Sequence, residues 1–457
     1  MTSTATSRTS AGTRPRLVTR PLLLRFVSIL GASTGFNLLL AVVPLYAEES
    51  TGGGNAAGLA TGALMLTTVL GELATPRLVV RFGYRALLAV GLFLLGAPAL
   101  VLTAFDGSAV WITTVCLVRG LGFAFTIVAG GALTAALIPA ERRGEGLALV
   151  GVVSGAPSLL GLPLGVWLAA HLGYTTVAVT AGVVALAAIA AVPGLPDREA
   201  STEPSVGVVE GFRSAGLRRP TVVFAATALA AGIIVTFLPL ALPAGSAGLA
   251  AVALFVQPAA STAARWAAGR YGDRHGSDRL VLPGLLLSAA GTLLIALTGS
   301  PAAVVAGAAV FGLGFGIAQN ATLTMMYARV SGAGYGAVTA LWNVAYDAGM
   351  GVGAVAFGVL AGPLGYPQAF ALTAVVMLGA LAPARRDRRA AASVLPGSSA
   401  SSASPVSSVS PVLPETSAPP VASAAAAAAA ADRAGPAARP EPSGACPPNH
   451  LPPCADG

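Results

Sequence analysis

Long apolar stretches alternate along the chain with short polar or Gly/Pro-bearing breaks. A helix needs about 20 mainly apolar residues to cross a bilayer. Twelve segments reach that length or come close to it: 22–46, 57–79, 86–105, 109–138, 145–169, 174–194, 221–242, 247–268, 280–298, 302–327, 335–361 and 367–383. Arg8, Arg14, Arg16 and Arg20 precede the first and imitate a secretory leader, but the apolar run is too long for one and eleven further spans follow. The pattern predicts an all-α integral membrane protein of twelve transmembrane helices. Its expected segments are an N-terminal stretch 1–21, a six-helix unit 22–195, a polar connection 196–220, a second six-helix unit 221–383 and a tail 384–457. The tail is Ala/Ser/Pro-rich, with a run from Ala424 to Ala431, and is expected to be disordered because it has too little to bury.

The basic residues sort by loop. Arg81 and Arg85, then Arg142 and Arg143, then Arg198, Arg213, Arg218 and Arg219, then Arg270, Arg274 and Arg279, then Arg329 fall in alternate connections. The other connections carry no Arg, only Glu48, Glu49, Asp106 and His171. Basic loops are retained on the cytoplasmic side, so the expected topology is multi-pass in the cell membrane with both termini cytoplasmic. One missed or invented span would invert the pattern downstream, so the parity supports an even count.

Composition agrees and removes several chemistries. Hydrophobic residues make up 55% of the 457, and 10% are charged, against about 25% charged in an ordinary soluble domain. All 26 basic residues are Arg. Without Lys there is no Walker A loop and no Schiff-base lysine. The net charge of +8 follows from topology and contact with anionic lipid, and no nucleic-acid partner is needed. The three His stand apart at 171, 275 and 450, with no assembled nucleophile and base, so a multi-pass enzyme is the remote alternative. Cys446, His450 and Cys454 match no four-ligand zinc spacing, and Cys116 reads as packing; no cofactor or metal is expected.

Segments of the first half recur about 192 residues later. Gly120–Phe123 and Gly312–Phe315 both read GLGF; Arg81 and Gly83 match Arg274 and Gly276; Gly91 matches Gly284, and Gly161 matches Gly353. Six spans on each side of the connection then form two parallel-repeat six-helix bundles, an arrangement that places a solute site at their interface.

These features resemble the major facilitator superfamily over residues 22–383. The run Gly269, Arg270, Tyr271, Gly272, Asp273, Arg274, His275, Gly276 is similar to the family's inner-loop signature, in which Asp273 would pair with an Arg or cap the next helix and latch the cytoplasmic gate. In the first-half copy Pro76 and Val80 replace the Gly and Asp, leaving Arg81 and Gly83. Arg119, followed by GLG, resembles the family's buried-Arg motif associated with proton coupling. Gly151, Gly155, Pro157, Gly161 and Gly165 resemble its proton-antiporter motif on the fifth helix, with Ala156 where that motif has Gly. The resemblance implies a secondary active transporter working by alternating access, acting as a monomer, with efflux of a drug or secondary metabolite in exchange for protons. Import by proton symport is the alternative.

Ionisable groups inside spans are costly and mark function by default. Asp347, near the middle of the eleventh span, is the leading proton-coupling candidate, because desolvation favours the uncharged acid; it also suits a helix tie to an Arg. Arg119 divides between proton coupling and a structural tie. Glu72 joins the coupling candidates, although its depth also suits inner-side water, and Arg265 lies close enough to the inner end to snorkel. Expected cavity residues are Asn37, Gln257, Gln319, Asn320 and Asn343, with Trp342 and Tyr346 as aromatic surfaces; interhelical hydrogen bonding is the alternative for each. In the resembled family the first, fourth, seventh and tenth helices line the path, which favours Asn37 and Asn320. Walls rich in Ala, Val, Leu and Gly favour an apolar or amphiphilic solute over a sugar.

Overall fold

The structure is a computed structural model that describes residues 17–53, 55–105, 107–139, 142–197, 208–330 and 334–394. Cys446, His450 and Cys454 lie outside them, as does most of the tail. The elements are α1 (Arg20–Leu40), α2 (Val42–Thr51), α3 (Ala56–Leu100), α4 (Ala109–Leu137), α5 (Arg143–Leu172), α6 (Tyr174–Ala187) with a 3-10 extension to Gly194, α7 (Val208–Arg213), α8 (Ala215–Ala241), α9 (Ala247–His275), α10 (Asp278–Ile295), α11 (Pro301–Tyr327), α12 (Tyr335–Leu364), α13 (Tyr366–Gly379) and α14 (Leu381–Val394). No strand occurs among the described residues.

Among the described residues eleven helical stretches are long and apolar enough to cross a membrane, and one of them holds two spans. The 45 residues of α3 would reach about 68 Å at 1.5 Å per residue, more than twice a hydrocarbon core of about 30 Å. Gly83 breaks this helix with φ 78 and ψ 164, a conformation open to glycine, and turns the chain back. Twelve spans result. The first is itself split at Ala41 into α1 and α2, since Pro44 has no N–H to give the carbonyl four residues earlier.

Three boundaries differ from the hydropathy reading. The Gly269–His275 signature is the last turns of α9, half-exposed to exposed, and not a loop; the helix stops at Gly276, φ 86. The connection 196–220 contains α7 and the first turn of α8. Helix α14 carries regular structure to Val394, past the expected start of the tail at 384. Its Asp387 is 6% exposed and meets Arg329 at 2.7 Å and Arg219 at 3.9 Å.

The sequence repeat is a structural repeat. Positive-φ glycines close equivalent turns at Gly83 and Gly276 and at Gly173 and Gly365. Gly120 lies flat against the Leu64 carbonyl and Gly312 against that of Gln257, while Gly122 meets Gly91 as Gly314 meets Gly284. Gly161 packs on Asn37 and Leu38 and Gly353 on Leu229. Lipid tails are as apolar as Leu, so spans associate through such close backbone approach. Within the first half α3 packs on α4 and α6, and α1 on α5; in the second, α11 packs on α9 and α10, and α12 on α8. The halves meet where α12 lies on α3 and α9 on α5. Large side chains such as Leu66, Leu70 and Leu73 face outward, each more than 40% exposed.

Candidate functional site

The α3–α12 contact can be followed from the Arg-free end inward. Gly58 abuts the Ala354 carbonyl, Gly62 abuts Val355, and Met65 fills against Gly351. Thr61 also shares a 2.9 Å hydroxyl contact with Thr236 of α8. Glycine lets the two antiparallel helices approach closely and joins the halves along this line. The line ends about 25 Å in from Asn55 at 1.5 Å per residue, where Glu72 of α3 and Asp347 of α12 come near enough for their carboxyls to interact. Both are buried, at 9% and 6% exposure. No partner reaches Glu72 Oε2 among the described residues.

The two Arg buried in the first half are held differently. Arg119, 1% exposed, donates from Nε to the Leu95 carbonyl at 3.2 Å and from Nη2 to the Gly35 carbonyl at 2.9 Å, binding α4 to α3 and α1. Arg25, which the sequence reading did not single out, is 4% exposed. It donates to the Gly130 carbonyl at 3.1 Å, to Thr134 Oγ1 at 3.0 Å and to Ser28 Oγ. Its signal was present as a lone cation inside the first span. No carboxylate pairs with either in the described set of ion pairs.

The polar cavity candidates separate. Asn37 turns its amide back onto the Ser33 carbonyl of its own helix at 2.8 Å, and Gln257 is buried where α9 crosses Gly312. Asn320 lies beside Gly269. Gln319 Oε1 and Trp342 Nε1 are buried without partners among the described residues. Asn343 is half-buried one turn before Asp347. Trp342 and Tyr346 join an aromatic stack: Phe224 lies on Trp342 at 4.3 Å and 10°, and Phe315 lies 6.1 Å from Tyr346. Arg265 is half-buried, with Nε enclosed and without a hydrogen-bond partner among the described residues.

The signature residues occupy the helix ends. Gly83 and Gly276 make the turns; Asp273 and Arg274 are exposed, and Asp273 enters no described ion pair. Arg81 stacks over its neighbour Phe82 at 5.2 Å. In α5, Gly161 and Gly165 press against α1, Pro157 is buried, and Gly151 is half-buried. Gly155 is exposed and faces open space. Among the described residues no group of three His, Cys, Asp or Glu stands together for a metal ion.

Two repeated bundles of membrane-length helices meet around a buried pair of acids. The chain belongs to the Major Facilitator Superfamily, whose profile matches residues 25–267 and 221–432, and it is a multi-pass membrane protein. Over 108 residues it is 32% identical to an uncharacterized MFS-type transporter of Burkholderia mallei strain SAVP1, and equally to one of Burkholderia pseudomallei strain K96243. Those alignments cover 24% of this chain and 26% of each relative, so the chain spans about a quarter of the length of the curated relatives it matches. Among solved structures a point mutant of the nucleoside transporter NupG superposes with TM-score 0.65 at 13% identity, covering 81% of this chain and 99% of that one. The human organic anion transporter MFSD10 gives 0.58 at 16%, covering 80% and 99%. A bacterial homolog of the human lysosomal transporter Spinster, in an inward-facing conformation, gives 0.65 at 13%, covering 83% and 98%. At such identities the likeness is one of fold.

Proposed function

We propose that this protein is a secondary transporter that exchanges protons for a small organic compound, which it carries outward by alternating access, with Glu72 and Asp347 as the proton-carrying pair. The supporting observation is their approach across the two halves at the bottom of the Arg-free end. With one proton shared, the pair holds the halves together. When that proton leaves, two carboxylates face each other away from bulk water and repel. The packing above them then loosens.

The pair joins α3 to α12 directly, so a proton alone suffices to close this end. That is the logic of exchange, in which the proton returns the carrier and the solute leaves on the other stroke. A symporter would need solute and proton together to close. With the Arg-rich loops in the cytoplasm, the closed end faces outward and both ends of the chain lie inside.

The test is a proteoliposome assay with an imposed pH gradient. Wild type should accumulate solute against its gradient as protons run the other way. Asp347→Asn should abolish uphill movement, reducing it at least tenfold, while the protein remains in the membrane. Undiminished uphill transport by that variant refutes the assignment, and co-movement of proton and solute would establish symport.

A further inference from the structure

The repeat relates the two cross-half contacts to each other. An offset of 193 pairs the second span with the eighth, as Arg81 with Arg274 and Gly83 with Gly276; an offset of 192 pairs the fifth with the eleventh, as Gly161 with Gly353. Glu72 therefore corresponds to Arg265, and Asp347 to Gly155. Where α3 meets α12 the pair is acid on acid. Helices α9 and α5 also pack together, and there the repeat puts a guanidinium and a glycine in the equivalent positions.

Gly155 has no atom of a neighbour within 4 Å of where a side chain would begin. By the repeat, the sister contact has the Asp347 side chain at this position. Arg265 lies at helical spacing between Ser261, packed on Gly316, and Gly269, packed near Asn320. It makes no hydrogen bond or ion pair among the described residues, and its Nε is enclosed and unpartnered. A half-buried guanidinium whose Nε is enclosed and which has no counter-ion is satisfied best by a planar anion presenting two oxygens. Beside it stands Tyr346, whose phenol interacts electrostatically with Arg265 and whose ring lies 6.3 Å from Trp342, at 6° to it. The Trp342 Nε1 donor is likewise unpartnered.

We propose that the space between Arg265 and Gly155 takes the charged group of the solute, which is an organic anion carrying an aromatic ring that rests on Trp342 and Tyr346. This names the solute class of the exchange proposed above and rests on that reading for its purpose. Binding measured without a gradient is nonetheless independent of whether Glu72 and Asp347 carry protons. Arg119 and Arg25 offer no comparable site, because carbonyl and hydroxyl oxygens of the protein already occupy them.

The experiment is equilibrium binding of 2-naphthoate to the purified full chain in detergent, with 2-naphthamide and 2-naphthylmethylammonium as neutral and cationic matches. Wild type should favour the naphthoate over both. Arg265→Ala should weaken naphthoate binding about tenfold or more, with Arg265→Lys between the two. Gly155→Asp should weaken it comparably by supplying Arg265 with an internal carboxylate, and by clearly more than the isosteric Gly155→Asn. Thermal melts verify folding, and the Asp/Asn comparison carries the test where Arg265→Ala does not fold. Equal affinity for the amide, unchanged binding in Arg265→Ala, or equal losses in Gly155→Asp and Gly155→Asn would each overturn the proposal. Failure of the exchange reading appears separately, as retained uphill transport in Asp347→Asn.

Discussion

The two halves share a fold but hold their buried guanidinium groups in opposite ways. In the first, Arg25 and Arg119 are enclosed, and each is anchored on protein oxygens from neighbouring helices. In the second, Arg265 Nε, Gln319 Oε1 and Trp342 Nε1 are enclosed and unmatched within the described residues. Burying a polar group without a partner costs free energy, so a saturated set has the character of scaffolding and an unsaturated set that of a binding surface. Duplication supplied the same frame twice, and the side chains on it divided the work.

The largest expected effect tests the scaffold side of this division. Arg119→Ala removes a large, fully enclosed side chain and two interhelical hydrogen bonds, and should destabilise the protein by about 3 kcal/mol through cavity and hydrogen-bond loss. Arg119→Met keeps most of the volume and discards a buried charge that has no carboxylate partner, so it should cost less. Thermal melting in detergent checks both. If Arg119 is scaffold, Arg119→Met retains proton-driven uphill transport; a well-folded Arg119→Met that has lost it would move Arg119 onto the proton path and dissolve the contrast.

An intermediate effect concerns the pair between the halves. A Gln at position 72 donates an amide N–H to the Asp347 carboxylate without any shared proton. Glu72→Gln should therefore keep the Arg-free end closed irrespective of pH. In wild type the closed fraction should be high at low pH and fall as the pH rises and the shared proton leaves. A tenfold change in the closed-to-open ratio corresponds to about 1.4 kcal/mol. Distances between spin labels at Ser50 and Leu364, in a background lacking native cysteines, report this directly. A Glu72→Gln profile that tracks wild type would show that the pair does not govern closure.

Much of the frame was legible in the sequence because the bilayer admits few solutions: hydropathy gives span length, Arg placement gives parity, and the GLGF and Gly83/Gly276 matches give the repeat. The extension of α9 was not. Arg270, Asp273 and Arg274 look like a loop by hydropathy, yet a helix that has left the membrane carries charge at no penalty, and only Gly276 stops it. The Glu72–Asp347 contact was hidden for another reason. Each residue is conspicuous as an intramembrane acid, but they are 275 positions apart, and no local periodicity encodes which helices of different bundles will touch. Asn37 exposes a third limit, since choosing its own Ser33 carbonyl over the cavity is a matter of rotamer. The correspondence of Glu72 with Arg265 was available from the offset alone, and it separates two residues that hydropathy treats alike as charges near an inner helix end.

The smallest effect lies outside the membrane, where the second half carries an ion cluster of its own. Asp387 on α14 receives Arg329 at both carboxylate oxygens, at 3.1 and 2.7 Å, and Arg219 at 3.9 Å. Asp387→Asn removes the charge with little change in shape. Each Arg keeps about a quarter or more of its side chain in solvent, so water takes over much of the lost interaction, and the expected cost is about 1 kcal/mol, shrinking with added salt. Limited proteolysis near Arg385 and Arg386, together with melting at low and high ionic strength, reads the outcome. The contrast with Arg119 follows from access to water: the same guanidinium chemistry is structural where enclosed among helices and marginal where solvated. A loss near 3 kcal/mol for Asp387→Asn, insensitive to salt, would mean that α14 is part of the packed second half and that the gradation by burial fails.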